Sequence, residues 1–240
     1  MNPSNDGTKA RRVAAMFSRI SRRYDFMNTV MTAGRHDRWR RLAARAATEG
    51  LAPGLALDVA TGTGCLALEL ARHPEARDVV GVDFVPEMLS LARAKETRHR
   101  PTPDVAWALG DALALPFADG AFMCATSGFA LRNVSDVRRA LGEMARVVRP
   151  GGRVAVLEIT PLERSGLAAR ALSLYFRRVV PMLGQWLAGD RDAYTYLPDS
   201  VRGFPTCPEL ARLMEEVGLV KVRWRLLGGG LVALHVGEVR

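Results

Sequence analysis

The chain has 240 residues, of which 48% are hydrophobic and 25% charged; this is enough to bury one substantial core and argues against global disorder. Its net charge of +9 is concentrated in residues 1–50, with 11 Lys or Arg against 4 Asp or Glu. This asymmetry indicates either an anionic partner, nucleic acid or phospholipid, or a solvated arginine-rich helix. No apolar stretch reaches the length of a membrane span, and three isolated cysteines match neither a disulfide framework nor a zinc spacing.

The first part of the chain has a helical apolar pattern. Apolar side chains recur at steps of four and three and so share one helical face; they are Val13, Phe17, Ile20, Tyr24, Met27 and Met31. Arginines occupy the positions between them. Residues 1–50 are therefore predicted to form an N-terminal helical cap, which ends at the turn-like Leu51-Ala-Pro-Gly54.

After this break, short apolar runs alternate with helical patterns. Strands are predicted at 55–60, 79–83, 105–109, 122–126, 153–159, 220–227 and 231–239, with helices at 65–72, 86–96, 136–148 and 208–217. Pro150-Gly-Gly152 is expected to stop the third helix. This alternation predicts an α/β fold with a doubly wound, mostly parallel seven-stranded sheet across 51–240.

A helical insertion is predicted at about 163–200. Its apolar residues run to Trp186, with a break at Pro181. This insertion either packs on the sheet or forms a cap over an apolar substrate. We favour the cap, because the doubly wound core is nearly complete without the insertion.

A glycine loop follows the first predicted strand, in the run Asp58-Val-Ala-Thr-Gly62-Thr63-Gly64. Glycines here allow backbone to approach a ligand and place helix N–H groups beside it. With Ala67 the run also satisfies a relaxed dinucleotide fingerprint, and glycine turns of this kind occur without any ligand. The loop alone therefore does not identify the cofactor.

Acidic residues end three successive predicted strands. Asp58 suits a cationic amino-acid group and conflicts with a pyrophosphate, Asp83 can hold both ribose hydroxyls, and Asp111 in Gly110-Asp-Ala112 can accept from an adenine amino group. Each acid taken singly could be a cap or a turn residue. Together they favour S-adenosylmethionine, with S-adenosylhomocysteine as product, over a nicotinamide dinucleotide.

Several further segments carry a resemblance to a known family. They are Phe17-Ser-Arg-Ile-Ser-Arg-Arg-Tyr24-Asp-Phe-Met-Asn28, His36-Asp-Arg-Trp39, Leu115-Pro-Phe117, Leu131-Arg-Asn-Val134, Arg149-Pro-Gly-Gly-Arg153, Gly189-Asp-Arg-Asp-Ala-Tyr194 and Leu231-Val-Ala-Leu-His235. With the glycine loop and Gly110-Asp-Ala112, the chain resembles the ubiquinone/menaquinone biosynthesis C-methyltransferases over nearly its whole length. The resemblance implies a class I, Rossmann-like methyltransferase that methylates a ring carbon of a polyprenyl quinol, demethylmenaquinol or the equivalent benzoquinol.

The resemblance also implies roles for individual residues. Cofactor contacts fall on Thr63, Asp83, Asp111, Ala112 and Gly128, and Asp58, Gly62 and Gly64 join them from the loop. Glycine at 128 replaces a frequent serine, Cys65 a frequent Asp, and Ala130 a frequent Gly. For catalysis, Arg132 is predicted to stabilise the phenolate directly or through a water, with Asn133 orienting it and His36 as a candidate base. Structural alternatives are a surface salt bridge for Arg132 and a helix-packing role for His36.

Other functions remain as alternatives. An RNA methyltransferase should carry an Asn/Asp-Pro-Pro-Tyr/Phe run after strand four, but that slot reads Ser127-Gly-Phe-Ala-Leu-Arg-Asn, so no nucleic-acid partner is expected. A methyltransferase of another small aromatic metabolite stays open, whereas a dehydrogenase and a non-catalytic module fit less well. The predicted setting is cytoplasmic, with reversible contact with an anionic membrane and no metal. Monomer and homodimer both remain open.

Overall fold

A computed structural model provides the structure of the chain. It describes residues 13–19, 21, 25–26, 28–29, 32, 34–99, 104–161 and 191–240. Most of the predicted insertion, with the apolar stretch around 179–186, lies outside the described residues, as do Ile20, Tyr24, Met27 and Met31 of the N-terminal apolar face.

Helical backbone covers residues 13–19, where Val13 and Met16 are buried. The first complete helix, α1 (Arg35–Thr48), starts after Gly34 at a positive φ of 70°. Its buried side recurs every three or four residues, the spacing that keeps side chains on one helical face; these residues are His36, Trp39, Arg40, Ala43, Ala44, Ala47 and Thr48. Trp39 and the alanines join a core with residues of the sheet.

The sheet has seven strands in the described part of the chain, and their spatial order is β3-β2-β1-β4-β5-β7-β6. In chain order they are β1 (Gly54–Val59), β2 (Ala76–Asp83), β3 (Val105–Leu109), β4 (Phe122–Gly128), β5 (Val148–Ile159), β6 (Leu219–Leu227) and β7 (Val232–Val239). The first five are parallel, and β7 is antiparallel to both of its neighbours. The order reverses between β1 and β4, which is where open α/β sheets bind ligands.

Helices pack on both faces of the sheet, so the prediction of a doubly wound fold is confirmed. The helices after α1 are α2 (Cys65–Leu70), α3 (Pro86–His99), α4 (Val137–Val147), α5 (Arg191–Arg202) and α6 (Cys207–Glu216). One core joins α1 and α2 to the sheet, and a second joins α4 and α6 to the other face. No described helix is both long and apolar enough to cross a membrane.

One sequence expectation was wrong in its detail. Helix α4 ends at Val147, before Pro150-Gly-Gly152, and β5 already begins at Val148 and runs through that segment. A shift in the β4–β5 register between Phe122 and Cys124 of β4 accommodates this longer β5. A Cβ on Gly152 would lie 2.4 Å from the carbonyl oxygen of Met123, so this glycine allows the two strands to approach each other. The Pro-Gly-Gly segment is therefore part of the sheet and does not terminate the helix.

Candidate active site

A cavity lies at the carboxyl ends of β1, β2, β3 and β4. The strand ends and following loops contribute Asp58, Ala60, Thr61, Gly62, Thr63, Asp83, Asp111, Ala112, Gly128 and Asn133, and the N-terminal helices contribute Val13, Phe17 and Arg40. Eight of the predicted site residues thus share one cavity wall. Gly64, His36 and Arg132 do not line it.

The glycine loop has a backbone that few other residues can adopt. Gly62 and Gly64 have positive φ values of 56° and 78°, a region that favours glycine. A Cβ on Gly64 would also lie 2.4 Å from the ring of Trp107. Gly64 therefore acts through backbone shape, placing the start of α2 beside the cavity.

Asp58 is the most deeply buried acid in the cavity wall, with 1% of its surface exposed. Burial raises its pKa to about 6, although hydrogen bonds to its carboxylate oppose the shift. These come from the hydroxyls of Thr61, at 2.6 Å, and Thr126, at 2.7 Å. Such a carboxylate gains most from a cationic ligand that restores its charge.

The other two strand-end acids hold loops of the cavity. Asp83 accepts hydrogen bonds from the backbone N–H of Gly62, at 2.7 Å, and of Val85, at 2.9 Å, and burial raises its pKa. Asp111 accepts from the N–H of Leu113 at 2.9 Å and is exposed. Because β1, β2 and β3 are neighbours, the three acids form a row along one edge of the sheet.

A polar cluster that the sequence reasoning missed joins the N-terminal helices to the glycine loop. The hydroxyl of Thr63 donates to Asp25 at 2.7 Å, and the ammonium of Lys95 donates to the same carboxylate at 2.7 Å. Lys95 also contacts the sulfur of Cys65 at 2.8 Å. Burial acts to raise the pKa of Asp25, but Lys95 and Thr63 lower it overall. The signal was available, since Asp25 belongs to the Tyr-Asp-x-Met-Asn motif.

Arg132 forms a buried ion pair beside the cavity. Its Nη1 donates to Glu158 at 2.8 Å and to the carbonyl oxygen of Phe129, and the side chains of Arg132 and Glu158 are 7% and 2% exposed. Glu158 on β5 thus holds the side chain of Arg132, which does not line the cavity. The surface salt-bridge alternative is wrong, since the pair is buried. A catalytic role for Arg132 stays a prediction.

Asn133 lies in the cavity wall, and its predicted orienting role stays a prediction. Its Oδ1 is buried and has no hydrogen-bond partner among the described residues. A buried amide oxygen without a partner is costly. Asn133 is therefore suited to accept a hydrogen bond from a ligand.

His36 lies within the N-terminal helices. It is buried, and its Nε2 lies 3.0 Å from the hydroxyl of Thr29, while its Nδ1 contacts Arg40. Burial, and next the charge of Arg40, lower its pKa. The Asp37 carboxylate lies 2.9 Å from the same Nδ1 and also accepts from Arg40. A neutral ring, in agreement with the lowered pKa, accepts from Arg40 as well, so His36 and Asp37 together hold that arginine. The predicted role of His36 as a base stays a prediction.

Backbone strain marks two strand ends at the cavity. Ala60 after β1 and Phe129 after β4 have positive φ values of 53° and 59° although neither is glycine. Such conformations cost about 1–3 kcal/mol each and concentrate at functional sites. Gly128 precedes Phe129, and a Cβ there would lie 3.2 Å from Leu66. Glycine at this position, where serine is frequent in the family, contributes no hydroxyl to the cavity wall.

Solved structures share this fold. A SAM-dependent methyltransferase from Thermotoga maritima, described as a possible histamine N-methyltransferase, matches with a TM-score of 0.62 at 20% identity, covering 95% of this chain and 100% of that one. Phosphoethanolamine N-methyltransferase 2 of Haemonchus contortus, solved with S-adenosyl-L-methionine, gives 0.62 at 12% identity, covering 83% and 52%. The fold is that of class I methyltransferases.

Sequence comparison gives the family. The model of the ubiE/COQ5 methyltransferase family matches residues 5–239. The demethylmenaquinone methyltransferase of Thermus thermophilus is 46% identical, over 93% of this chain and 99% of that protein. The ubiquinone/menaquinone biosynthesis C-methyltransferase UbiE of Dinoroseobacter shibae is 40% identical, over 95% and 91%. The chain belongs to the ubiE/COQ5 methyltransferase family, and the resemblance stated from its motifs is confirmed.

Proposed function

We propose that this protein transfers a methyl group from S-adenosylmethionine to a ring carbon of a prenylated quinol. Demethylmenaquinol, or the equivalent benzoquinol, is the acceptor. The observation that carries the proposal is the match, over nearly the whole chain, to relatives named for this methylation. The cavity supports it, because acids suited to the cofactor and the Asn133 amide oxygen share one wall.

The residues of the cavity fit the chemical groups of S-adenosylmethionine. Asp111 and Ala112 would hold the adenine, Asp83 the ribose hydroxyls, and Asp58 with Gly62 and Thr63 the methionine part. The row of acids follows the strand order β3-β2-β1, as an extended ligand with an adenine, a ribose and an ammonium requires. This cofactor requires no phosphate-binding arrangement, and the buried carboxylate of Asp58 would repel a phosphate.

Bound S-adenosylmethionine supplies an electrophilic methyl group attached to a sulfonium. The chain's own residues must orient the quinol and favour its phenolate form, since a phenolate makes the ring carbon nucleophilic. Asn133 accepts a hydrogen bond from one of the two quinol hydroxyls and fixes the ring, while the other hydroxyl loses its proton to become the phenolate. Arg132, held by Glu158 behind the wall, stabilises the developing negative charge through an ordered water. Exclusion of water by Val13 and Phe17 strengthens these interactions.

The test is methyl transfer by the purified protein to two short-chain acceptors, a demethylnaphthoquinol and a demethylbenzoquinol, followed by mass spectrometry. We expect a mass gain of one methylene on a ring carbon of at least one acceptor. In a strain that lacks the gene, a demethylated quinone should accumulate. Methylation of neither acceptor, combined with unchanged quinones in that strain, would contradict the proposal.

The buried carboxylate of Asp58 predicts a pH-dependent affinity for S-adenosylhomocysteine. Its pKa is raised to about 6, so the carboxylate is charged above this pH and binds the ligand's ammonium, which stays protonated throughout. Affinity should therefore fall as the pH drops below 6, approaching tenfold per unit. Calorimetry of S-adenosylhomocysteine binding from pH 5 to 8 measures this change in affinity. Asp58→Asn should bind more weakly at pH 8, and its affinity should vary little with pH.

A matched ligand separates Asp58 from the other acids in the wall. Methylthioadenosine retains the adenine and ribose but lacks the amino-acid part, so its affinity should stay nearly constant over the same range. If methylthioadenosine shows the same pH dependence, the titrating group is Asp83, whose pKa burial also raises.

Because a polyprenyl quinol resides in a membrane, we propose reversible contact of the basic N-terminal region with an anionic lipid surface. Residues 1–50 carry 11 Lys or Arg against 4 Asp or Glu, and each basic residue near such a surface contributes about 1 kcal/mol. The fraction of the protein that sediments with phosphatidylglycerol vesicles should decline as the salt concentration rises, while phosphatidylcholine vesicles should bind little of the protein. Binding that ignores both salt and lipid charge would contradict the proposal.

A further inference from the structure

Arg40 is a buried cation in the cavity wall to which neither the motifs nor the family resemblance assigns a role. It lies on the buried face of α1, with 8% of its side chain exposed, and it lines the cavity. Burying a guanidinium is costly unless a carboxylate or other acceptor partners it. Its partners therefore decide whether it is structural.

Only one nitrogen of Arg40 is occupied within the described residues. Nη1 contacts His36 Nδ1 and, at 3.0 Å, Asp37, whose side chain is 61% exposed. Nε and Nη2 donate no hydrogen bond to another described residue, although the charge of Arg40 also acts on Asp25. A guanidinium offers five donors in a planar fork, and that fork is what binds a carboxylate with two parallel hydrogen bonds.

The position of Arg40 identifies the part of the cavity that it serves. Its guanidinium carbon lies 5.9 Å from the ring centroid of Phe129, directly after β4. Its charge also acts on Asp58, at the end of β1. Strands β1 and β4 are neighbours at the point where the strand order reverses, while Asp111 follows β3, two strands away. Arg40 and Asp58 thus place opposite charges at the end of the cavity farther from the adenine subsite.

We propose that Arg40 binds the carboxylate of the cofactor's methionine part, opposite the ammonium at Asp58. An amino acid carries one negative and one positive group on the same carbon, and this end of the cavity offers one charge of each sign. The inference rests on the proposed cofactor but not on the quinol. His36 then acts as a positioning residue, because its ring nitrogen accepts from Arg40 and helps to orient the fork.

The experiment compares two ligands that differ only in the carboxylate, S-adenosylhomocysteine and its decarboxylated form, 5′-(3-aminopropylthio)adenosine. Calorimetry of both is run on wild type, Arg40→Gln, Arg40→Lys and Arg41→Gln. Arg41 is the matched control, because it is an exposed arginine next to Arg40 on the same helix. Thermal unfolding of each variant checks that it folds.

We expect Arg40→Gln to weaken S-adenosylhomocysteine about 10–100-fold, the scale of losing hydrogen bonds between charged groups. The affinity of Arg40→Gln for the decarboxylated ligand should differ little from that of wild type. Lys should restore only part of the affinity, since a point charge does not replace a planar fork, and Arg41→Gln should bind both ligands as wild type does.

Two results would overturn the inference while leaving the cofactor in place. Equal losses for both ligands would show that Arg40 supports the cavity structurally, and unchanged affinity for S-adenosylhomocysteine with slower methyl transfer would place it at the acceptor. If wild type binds neither ligand, the proposed cofactor itself is wrong, and this inference is overturned with it.

Discussion

Replacing Arg132 with Ala should slow methyl transfer about 10²–10³-fold, the scale of losing one donor to a developing oxyanion. Arg132 is the neighbour of the cavity-lining Asn133, and its guanidinium is held by Glu158 at 2.8 Å, so its charge is fixed close to the cavity wall. Affinity for S-adenosylhomocysteine should change little, because the acids proposed to hold the cofactor are at the ends of β1, β2 and β3 and Arg40 is on α1. Single-turnover methylation of a short-chain demethylmenaquinol, measured alongside ligand binding, tests both statements.

The matched control for Arg132→Ala is Arg138→Ala, which removes an exposed arginine paired with Glu216 at 3.5 Å. This control should retain wild-type turnover, since exposed pairs contribute about 0–1 kcal/mol. Arg132→Lys should recover little activity, because a point charge does not reproduce the planar fork of donors that a guanidinium offers. Loss of binding and turnover together in Arg132→Ala would instead identify a structural or cofactor residue.

Glu158→Leu should lower the free energy of unfolding by about 3–5 kcal/mol, because it leaves the Arg132 guanidinium buried without its carboxylate. Glu158 also accepts from the backbone N–H of Arg132, at 3.3 Å, and of Ile159, at 2.8 Å. The substitution therefore loosens the 3-10 turn Leu131–Asn133 as well as the ion pair. Urea unfolding of wild type and variant measures the change.

The double variant Arg132→Met/Glu158→Leu separates stability from catalysis. Removing both charges avoids the uncompensated one, so at least half of the lost stability should return. Turnover should nevertheless stay low, since the proposed phenolate stabiliser is absent. A double variant that regains stability and full activity would show that the pair only supports the fold. A cost below 1 kcal/mol for Glu158→Leu would show that solvent screens the pair.

The order of the elements and the three strand-end acids could be predicted from the amino-acid sequence. Runs of β-strand residues that alternate with helical periods predicted all seven strands found in the described part of the chain, to within a few residues at most ends. Asp58, Asp83 and Asp111 were recognised because parallel strands end at a common edge. Patterns of this kind are local, so a single sequence reveals them.

The extension of β5 through Pro150-Gly-Gly152 was not predicted, because the residues of that segment usually stop an element. It pairs through contacts with β4 that local propensity does not contain. Element boundaries depend on such neighbours, whereas element types depend mainly on the chain itself.

The charged partners around the site depend on contacts between residues far apart in the sequence. Glu158 holds Arg132 across 26 positions of sequence, and Asp25 meets Lys95 across 70. In the sequence, Arg40 is one of several arginines in a basic region. The packing of α1 on the sheet is what buries it against the cavity. Whether a charged side chain is solvated, paired or directed at a ligand depends on desolvation and on partners distant in sequence. The spacing of residues along the chain gives neither the desolvation of a side chain nor its distant partners.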